Sequence, residues 1–304
     1  MTGFTSILPF AICLSSFMQD QGIRDITPEE FVKSRPARST ASSAPARRVR
    51  YKPAATRPAA SNGAHKPGST KALQLGLTIW RLRPSSMDEG GARIIVHQDG
   101  ETEEWTPERI ESNTPLRMGE RIRISFESPQ TGYLYVIDRE QYAGGSMGDP
   151  QLIFPTTRTR EGDNRVEPGK IIEIPAQNDR PIFYTLRRSR LDQTGELLTV
   201  IVKPQPIEGI TIGDKPLALS SQQVAQWENQ WGALTEKFEM AGGSGKTWTQ
   251  AEQEAGANGT RQLTQDDPGP QTIYRVAVKP GAPLLVKIGL RYGRAETKTR
   301  RTNR

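Results

Sequence analysis

A mainly β fold, an antiparallel β-sandwich of immunoglobulin-like or jelly-roll-like type, is what the sequence predicts, and three observations predict it. From Leu73 onward short segments alternate apolar and polar residues with a period of two, turn residues separate them closely, and no helical periodicity intervenes before Ser220. Only part of the 304 residues can take that fold. Apolar residues make up 34%, against 23 prolines and 28 glycines, so some stretches have too little to bury to offset their ordering entropy.

The chain opens on such a departure. Residues 3–18, GFTSILPFAICLSSFM, form an apolar run about as long as a signal-peptide core and too short to span a bilayer comfortably, with no Lys or Arg before it. Residues 1–18 are read as a signal peptide of an exported protein, whether cleaved or with a misassigned start; lipidation at Cys13 and an apolar segment docked on the protein are the alternatives. No transmembrane span is expected beyond that signal. Cys13 is the sole cysteine, so no internal disulfide can form, and with His65 and His97 the sole histidines no Cys/His zinc site can be assembled. Any Ser-His-Asp arrangement would rest on His97, which reads better as a surface histidine at a strand end.

Residues 19–72 are expected to be a disordered Ala/Pro/Arg-rich linker interrupted by one short helix near 28–33. Thr27 is its cap, Pro28 its first residue, and Glu29 and Glu30 favour its positive end. Residues 1–71 carry 11 Lys/Arg against 4 Asp/Glu, and the tail 294–304, also expected disordered, carries 5 against 1, whereas 72–293 carry 25 against 29. The basic balance therefore belongs to the ends. A nucleic-acid interface needs its cations on the folded body, so none is expected, and the ends read as solvated segments able to touch acidic polymers or lipid headgroups.

Within the body, 73–206, the segment Arg121–Phe126 places Ile122, Ile124 and Phe126 on one face and Arg121, Arg123 and Ser125 on the other, the pattern of a half-buried strand. Tyr133–Asp138 is apolar on both faces and reads as a central strand covered on both sides. Leu77–Leu82, Ala92–Val96, Gln151–Phe154, Lys170–Ile174, Ile182–Leu186 and Leu197–Val202 supply further strands.

Beyond the body, residues 207–241 read as a connector and one amphipathic helix. Ser220 and Gln223 suggest a capping box, and Val224, Trp227, Trp231, Leu234 and Phe238 follow at spacings of 3, 4, 3 and 4, an apolar stripe that packs on the sandwich or on a partner. The glycine run Ala241–Trp248, AGGSGKTW, looks like a phosphate loop, but Met240 stands where the pattern needs its first glycine and a helix precedes it. Gly242 or Gly243 therefore reads as the stop of that helix, and no nucleotide is expected. A flexible linker, 242–269, leads to a β-hairpin, 270–293, of Thr272–Val278 and Leu284–Tyr292 around Pro280-Gly281.

Two side-chain groups carry possible chemistry. Asp138, Glu140 and Asp149 surround the loop DREQYAGGSMGDP, where paired acids could serve hydrolysis or hold calcium, although the plainer reading is a solvated hairpin loop. Tyr133, Tyr135, Tyr142 and Trp105 could form a sugar-stacking platform, or be ordinary core and cross-strand aromatics. No catalytic, cofactor-binding or metal-ligating residue is assigned.

Glu120–Glu140, ERIRISFESPQTGYLYVIDRE, followed by Leu152–Pro155, LIFP, then Gly169–Pro175, GKIIEIP, and Leu197–Pro206, LLTVIVKPQP, resembles the bacterial family catalogued as domain of unknown function 4384, over about residues 75–206. The resemblance implies a β-rich module of envelope or signalling proteins, here in an exported architecture of acidobacterial type, and it supplies no catalytic residues. The expected function is a non-catalytic cell-envelope or secreted interaction module whose partner is an envelope protein or a glycan. The alternative is a glycan-acting hydrolase or carbohydrate-binding protein using the Asp138/Glu140 loop.

Overall fold

The computed structural model describes residues 28–37, 50–54, 71–86, 91–98, 101–257 and 261–293. Its first elements are α1 (Pro28–Lys33), β1 (Tyr51–Pro53), β2 (Lys71–Pro84), β3 (Ile94–Gln98), β4 (Glu101–Ile110), β5 (Arg121–Glu127), β6 (Gly132–Tyr142), β7 (Gln151–Phe154), β8 (Arg165–Val166) and β9 (Ile171–Ile174). There follow β10 (Tyr184–Thr185), β11 (Gln193–Lys203), β12 (Leu217–Ala218), α2 (Ser221–Trp231), β13 (Thr235–Met240), α3 (Gln250–Gly256), β14 (Thr272–Val278) and β15 (Leu284–Arg291). The named strands pair antiparallel in two sheets. In the first, ordered β1-β13-β14-β2-β4-β3, the long β2 carries β14 and then β4 along one edge and β5 along the other, and β5 in turn carries β9 and β10. The second runs β12-β7-β6-β11-β15, with β8 also on β6.

Alternation fills the space between the sheets. Leu75, Leu77 and Ile79 of β2 and Ile122, Ile124 and Phe126 of β5 meet Leu134 and Val136 of β6, Leu198 and Val200 of β11, and Val286 and Ile288 of β15 in one core. As its two apolar faces require, β6 is central: its alternate residues Tyr135 and Ile137 belong to a second core on the other side of that sheet. There α2 lies, with Val224 and Trp227 buried against Leu152 and Ile201 and the Trp231 ring stacked on Trp227 at 5.7 Å. The Ser220 hydroxyl caps the helix by accepting from the Gln223 N–H at 3.0 Å.

The helix is shorter than its stripe. It ends at Trp231, with Gly232 as its cap, leaving Leu234 65% exposed and placing Phe238 in β13. From Thr235 the side chains also fit a period of two, and β14 and β1 on either side satisfy the backbone, so pairing overrides helical spacing there. The glycine run consequently follows a strand. Gly242 and Gly245 adopt φ of 64° and 80°, and the run continues beside β4, where the Gly245 N–H donates to the Arg109 carbonyl at 2.8 Å.

The expected C-terminal hairpin is a crossing. β14 pairs with β2 and β13, β15 pairs with β11 over its whole length, and the turn at Pro280-Gly281 carries the chain from one sheet to the other. Val276 and Val278 thus face Leu284 and Val286 through the core instead of lying beside them. On the outer face of the first sheet, residues 242–257 and 261–269 form a cover in place of the expected flexible linker: Trp248 is 1% exposed beside Trp80, and Ala255 of α3 and Leu263 are buried on Ile171. Parts of the expected disordered linker are likewise built in, since Phe31 of α1 is fully buried and β1 pairs with β13. The segment 1–18, Thr27, the stretches 38–49 and 55–70, and the tail 294–304 lie outside the described residues. β4, whose acids and Pro107 mask its alternation, is a strand that the sequence did not predict, and the expected strand Ile182–Leu186 contracts to β10.

Buried ion pairs fasten that cover. Arg109 of β4 pairs with Glu252 of α3 and donates to the Gly269 carbonyl at 2.7 Å. Arg123 of β5 pairs with Glu173 of β9 at 2.7 Å beneath the Trp248 ring, and Arg35 beyond α1 grips both oxygens of Glu127 at 2.7 Å. Arg123 and Ser125 therefore meet protein, not water, so β5 is buried on both faces instead of one.

Trp248 closes this layer without a covalent tie. Trp248→Ala is expected to cost about 3–5 kcal/mol, the usual loss for a fully buried tryptophan. Chemical denaturation should show a lower midpoint, and limited proteolysis should cut the segment around α3 before the sandwich.

Candidate functional site

The register between β6 and β11 assembles the main cluster of acids. Leu198 lies opposite Asp138 and Glu196 opposite Glu140, so all three carboxylates fall on the inner face, just beyond Val136, where the apolar core runs out. Tyr292, one residue past β15, donates its hydroxyl to Glu196 Oε1 at 2.5 Å, and Tyr142 at the end of β6 donates to Glu140 Oε2. Tyr184, opposite Ile122 and thus facing the same end from the other sheet, is 40% exposed. Asp138 Oδ1 is buried without a hydrogen-bond partner.

Charge is crowded here. Burial and the neighbouring Glu196 and Glu140 push the Asp138 carboxyl up to about 8. Burial also raises Glu196, against the hydrogen bond from Tyr292. The hydrogen bond to Glu140 and burial raise the Tyr142 hydroxyl, and burial and Glu196 raise that of Tyr292. Like carboxylates this close cannot all be ionised without strain, so near neutral pH the group retains a proton, held at Asp138. Such a group can donate a hydrogen bond from an acid and accept with an ionised carboxylate.

The sequence singled out Asp138 and Glu140, and the structure joins them. It does not join Asp149, which is exposed in the following loop. Nor is the pair simply a solvated hairpin loop, because Asp138 lies inside the mouth of the core. Glu196, Tyr292 and Tyr184 were missed, since strand pairing across more than fifty residues leaves no local mark. The aromatic platform is dispersed: Tyr135 is buried under α2 and accepts from the Ile207 N–H at 2.9 Å, Tyr142 closes the acidic end, and Trp105 lies beside Phe183 with the Arg121 guanidinium 3.9 Å from its ring centroid. His97 pairs by backbone with Thr102 in β3, while Cys13 and His65 lie outside the described residues.

No group of three His, Cys, Asp or Glu is arranged to hold a metal ion among the described residues. A small cavity of about 10 Å³, the space of one water, lies under α3 between Arg35, Trp80, Glu127 and Glu252, away from Asp138, Glu140 and Glu196. No helix among the described residues is long and apolar enough to cross a membrane.

Residues 115–188 match the family described as Domain of unknown function (DUF4384), a narrower span than the resemblance implied. That match takes in β5 to β10, with Asp138 and Glu140, but not Glu196 or Tyr292. Neither a curated protein nor a solved structure matches the chain.

The pH dependence of stability follows from Asp138. The fold favours its protonated form, so the folded state keeps a proton that the unfolded chain releases near pH 4, and stability falls as pH rises from about 4 to about 8. Asp138→Asn should raise the melting temperature at pH 8 and flatten its slope between pH 5 and 8, read by thermal denaturation across that range.

Proposed function

We propose that this chain is a non-catalytic β-domain protein of the bacterial envelope or exterior that works as an interaction module. The observation carrying the reading is the use of its acids. Glu140 and Glu196 are engaged by Tyr142 and Tyr292 at the end of the core, where they close the sandwich; a glycosidase pair would flank a scissile bond in a cleft. The chain itself covers part of each outer face, with α2 on the second sheet and Trp248 and α3 on the first, and the loops at the ends are left open to a partner. The apolar run 3–18 supports export. An envelope protein or a glycan is the partner class.

One observation favours a second reading, a protein that binds or cleaves glycans. Asp138, protonated near neutral pH beside an ionisable Glu140, has the makings of a general acid. The two readings separate on one substitution.

Cell fractionation with affinity capture is the test. The tagged chain is expected with the envelope or in the medium, carrying a captured partner, and Asp138→Asn should leave that capture unchanged. A cytosolic chain bound to nucleotide overturns the proposal, as does polysaccharide cleavage by the wild type that Asp138→Asn abolishes.

A further inference from the structure

The acidic end of the sandwich is rimmed by three segments hydrogen-bonded to one another. The Gly119 N–H donates to the Leu186 carbonyl at 2.9 Å, the Gly293 N–H to the Leu116 carbonyl at 2.7 Å, and Arg188 Nη2 to the Gly293 carbonyl at 3.0 Å. Outward from this rim stand Arg117, Met118, Arg187, Arg190, Leu191 and Arg291, all exposed. Leu191 is 98% exposed and Met118 37%.

Asp138, Glu140 and Glu196 lie inside the mouth of the core, the last two hydrogen-bonded to Tyr142 and Tyr292, and the acids on the rim itself have partners. Asp192 pairs with Arg190 at 2.9 Å, and Glu120 accepts from the Arg117 N–H at 2.9 Å and faces Arg81. Arg117, Arg187 and Arg291 form no ion pair among the described residues. The chain also leaves the rim at Gly293 to continue as residues 294–304, with five Lys/Arg against one Glu. Exposed arginines without ion-pair partners among the described residues thus share the rim with a protruding leucine, on a body that is otherwise slightly acidic.

That combination discriminates between polyanions. Nucleic acid is held by cations with aromatic rings that stack on bases, whereas the most outward apolar groups here, Leu191 and Met118, are aliphatic, Tyr184 faces inward beside Ile122, and Arg190 covers the Tyr142 ring. A leucine among arginines suits the boundary of a bilayer, where the side chain leaves water and the guanidiniums stay among phosphates. We propose that this rim docks on an anionic phospholipid surface, with Leu191 entering the headgroup–acyl boundary and Arg117, Arg187 and Arg291 facing lipid phosphates. The proposal rests on the reading of the chain as an envelope interaction module and names a lipid surface among its partners.

Co-sedimentation of the full chain with phosphatidylglycerol–phosphatidylcholine vesicles, against phosphatidylcholine alone, tests it. Binding should require the anionic lipid and weaken as salt is raised. Arg117→Glu and Arg187→Glu should each lower partitioning by at least about fivefold, the value of one cation near such a surface. Leu191→Asp should lower it comparably, while Lys215→Glu, the same charge change beside Asp214 beyond the Phe154 end of β7, should leave it unchanged. Leu191→Trp should show blue-shifted emission with anionic vesicles alone, a readout that does not depend on weakened binding.

Several results would overturn the docking surface. One is partitioning indifferent to Leu191 and the arginines, as binding through residues 3–18 would be; another is an equal loss with Lys215→Glu; a third is an unshifted emission from Leu191→Trp. A chain that ignores the vesicles yet captures a protein or glycan overturns this surface alone and leaves the interaction-module reading standing.

Discussion

The pairing of charges on the outer face of the first sheet is the constraint to which much of the remaining architecture answers. Arg109, Arg123, Glu127 and Glu173 stand on that face between 1% and 4% exposed. A charge removed from water that far is tolerated only against an opposite charge at hydrogen-bond distance. Glu173 shows the tension, since burial raises its carboxyl while Arg123 draws it back. Partners for the other charges come from far along the chain: Arg35 from beyond α1 for Glu127, and Glu252 from α3 for Arg109. The segments 28–37, 241–257 and 261–270 are therefore held to the body by electrostatic necessity. Glu252 does double duty, its other oxygen closing the capping box with Thr249 that starts α3. Fit is close as well: a Cβ on Gly256 would come within 2.3 Å of the Glu173 carboxyl carbon, so that position accepts glycine alone without displacement.

The second sheet solves the same problem with apolar surface. Its outer face presents Tyr135, Ile137, Leu152 and Ile201, which α2 covers with Val224 and Trp227. The two covers differ in consequence. Losing one partner of a buried ion pair leaves a stranded charge at about 3–5 kcal/mol, whereas truncating one apolar contact costs according to the cavity it leaves. The charged cover also specifies register more sharply, because a guanidinium that grips both oxygens of one carboxylate, as Arg35 does with Glu127, tolerates little sliding.

Much of the sandwich was legible in the sequence. The period-two alternation of Arg121–Phe126 and the two-faced apolarity of Tyr133–Ile137 gave the strand positions and the central place of β6. What alternation cannot tell is whether a polar face meets water or a distant partner, and so Arg123 and Ser125 read as solvent-facing. Spacing misled where two periods coincide. Trp231, Leu234 and Phe238 continue a helical stripe, yet Thr235–Met240 equally fits a strand, and the choice was made by an open edge of β14 that no local window contains. β14 and β15 were similarly read as partners because they are neighbours in sequence, whereas β11 offered β15 a full-length partner. In the acidic group Asp138 and Glu140 were visible as a pair two residues apart; Glu196 and Tyr292 reach them only through the sheet.

The boundaries of the family match bear on what such a domain can do. Residues 115–188 supply β5, β9 and β10 to the nine-stranded first sheet, a third of it, and β6, β7 and β8 to the six-stranded second, half of it, with the apolar faces of β5 and β6 also packed on strands that lie outside the match. Alone, that segment would leave Ile124, Phe126, Leu134 and Val136 without β2, β11 or β15 to cover them. In this chain its strands are therefore completed by flanking sequence, which sets the neighbours around the end of the core. The acidic group illustrates the division: Asp138 and Glu140 come from within the match, while Glu196 and Tyr292, which shift their charge and hold their geometry, come from β11 and from beyond β15. Chemistry at that end belongs to this chain as a whole. What residues 115–188 can carry by themselves lies in their own loops.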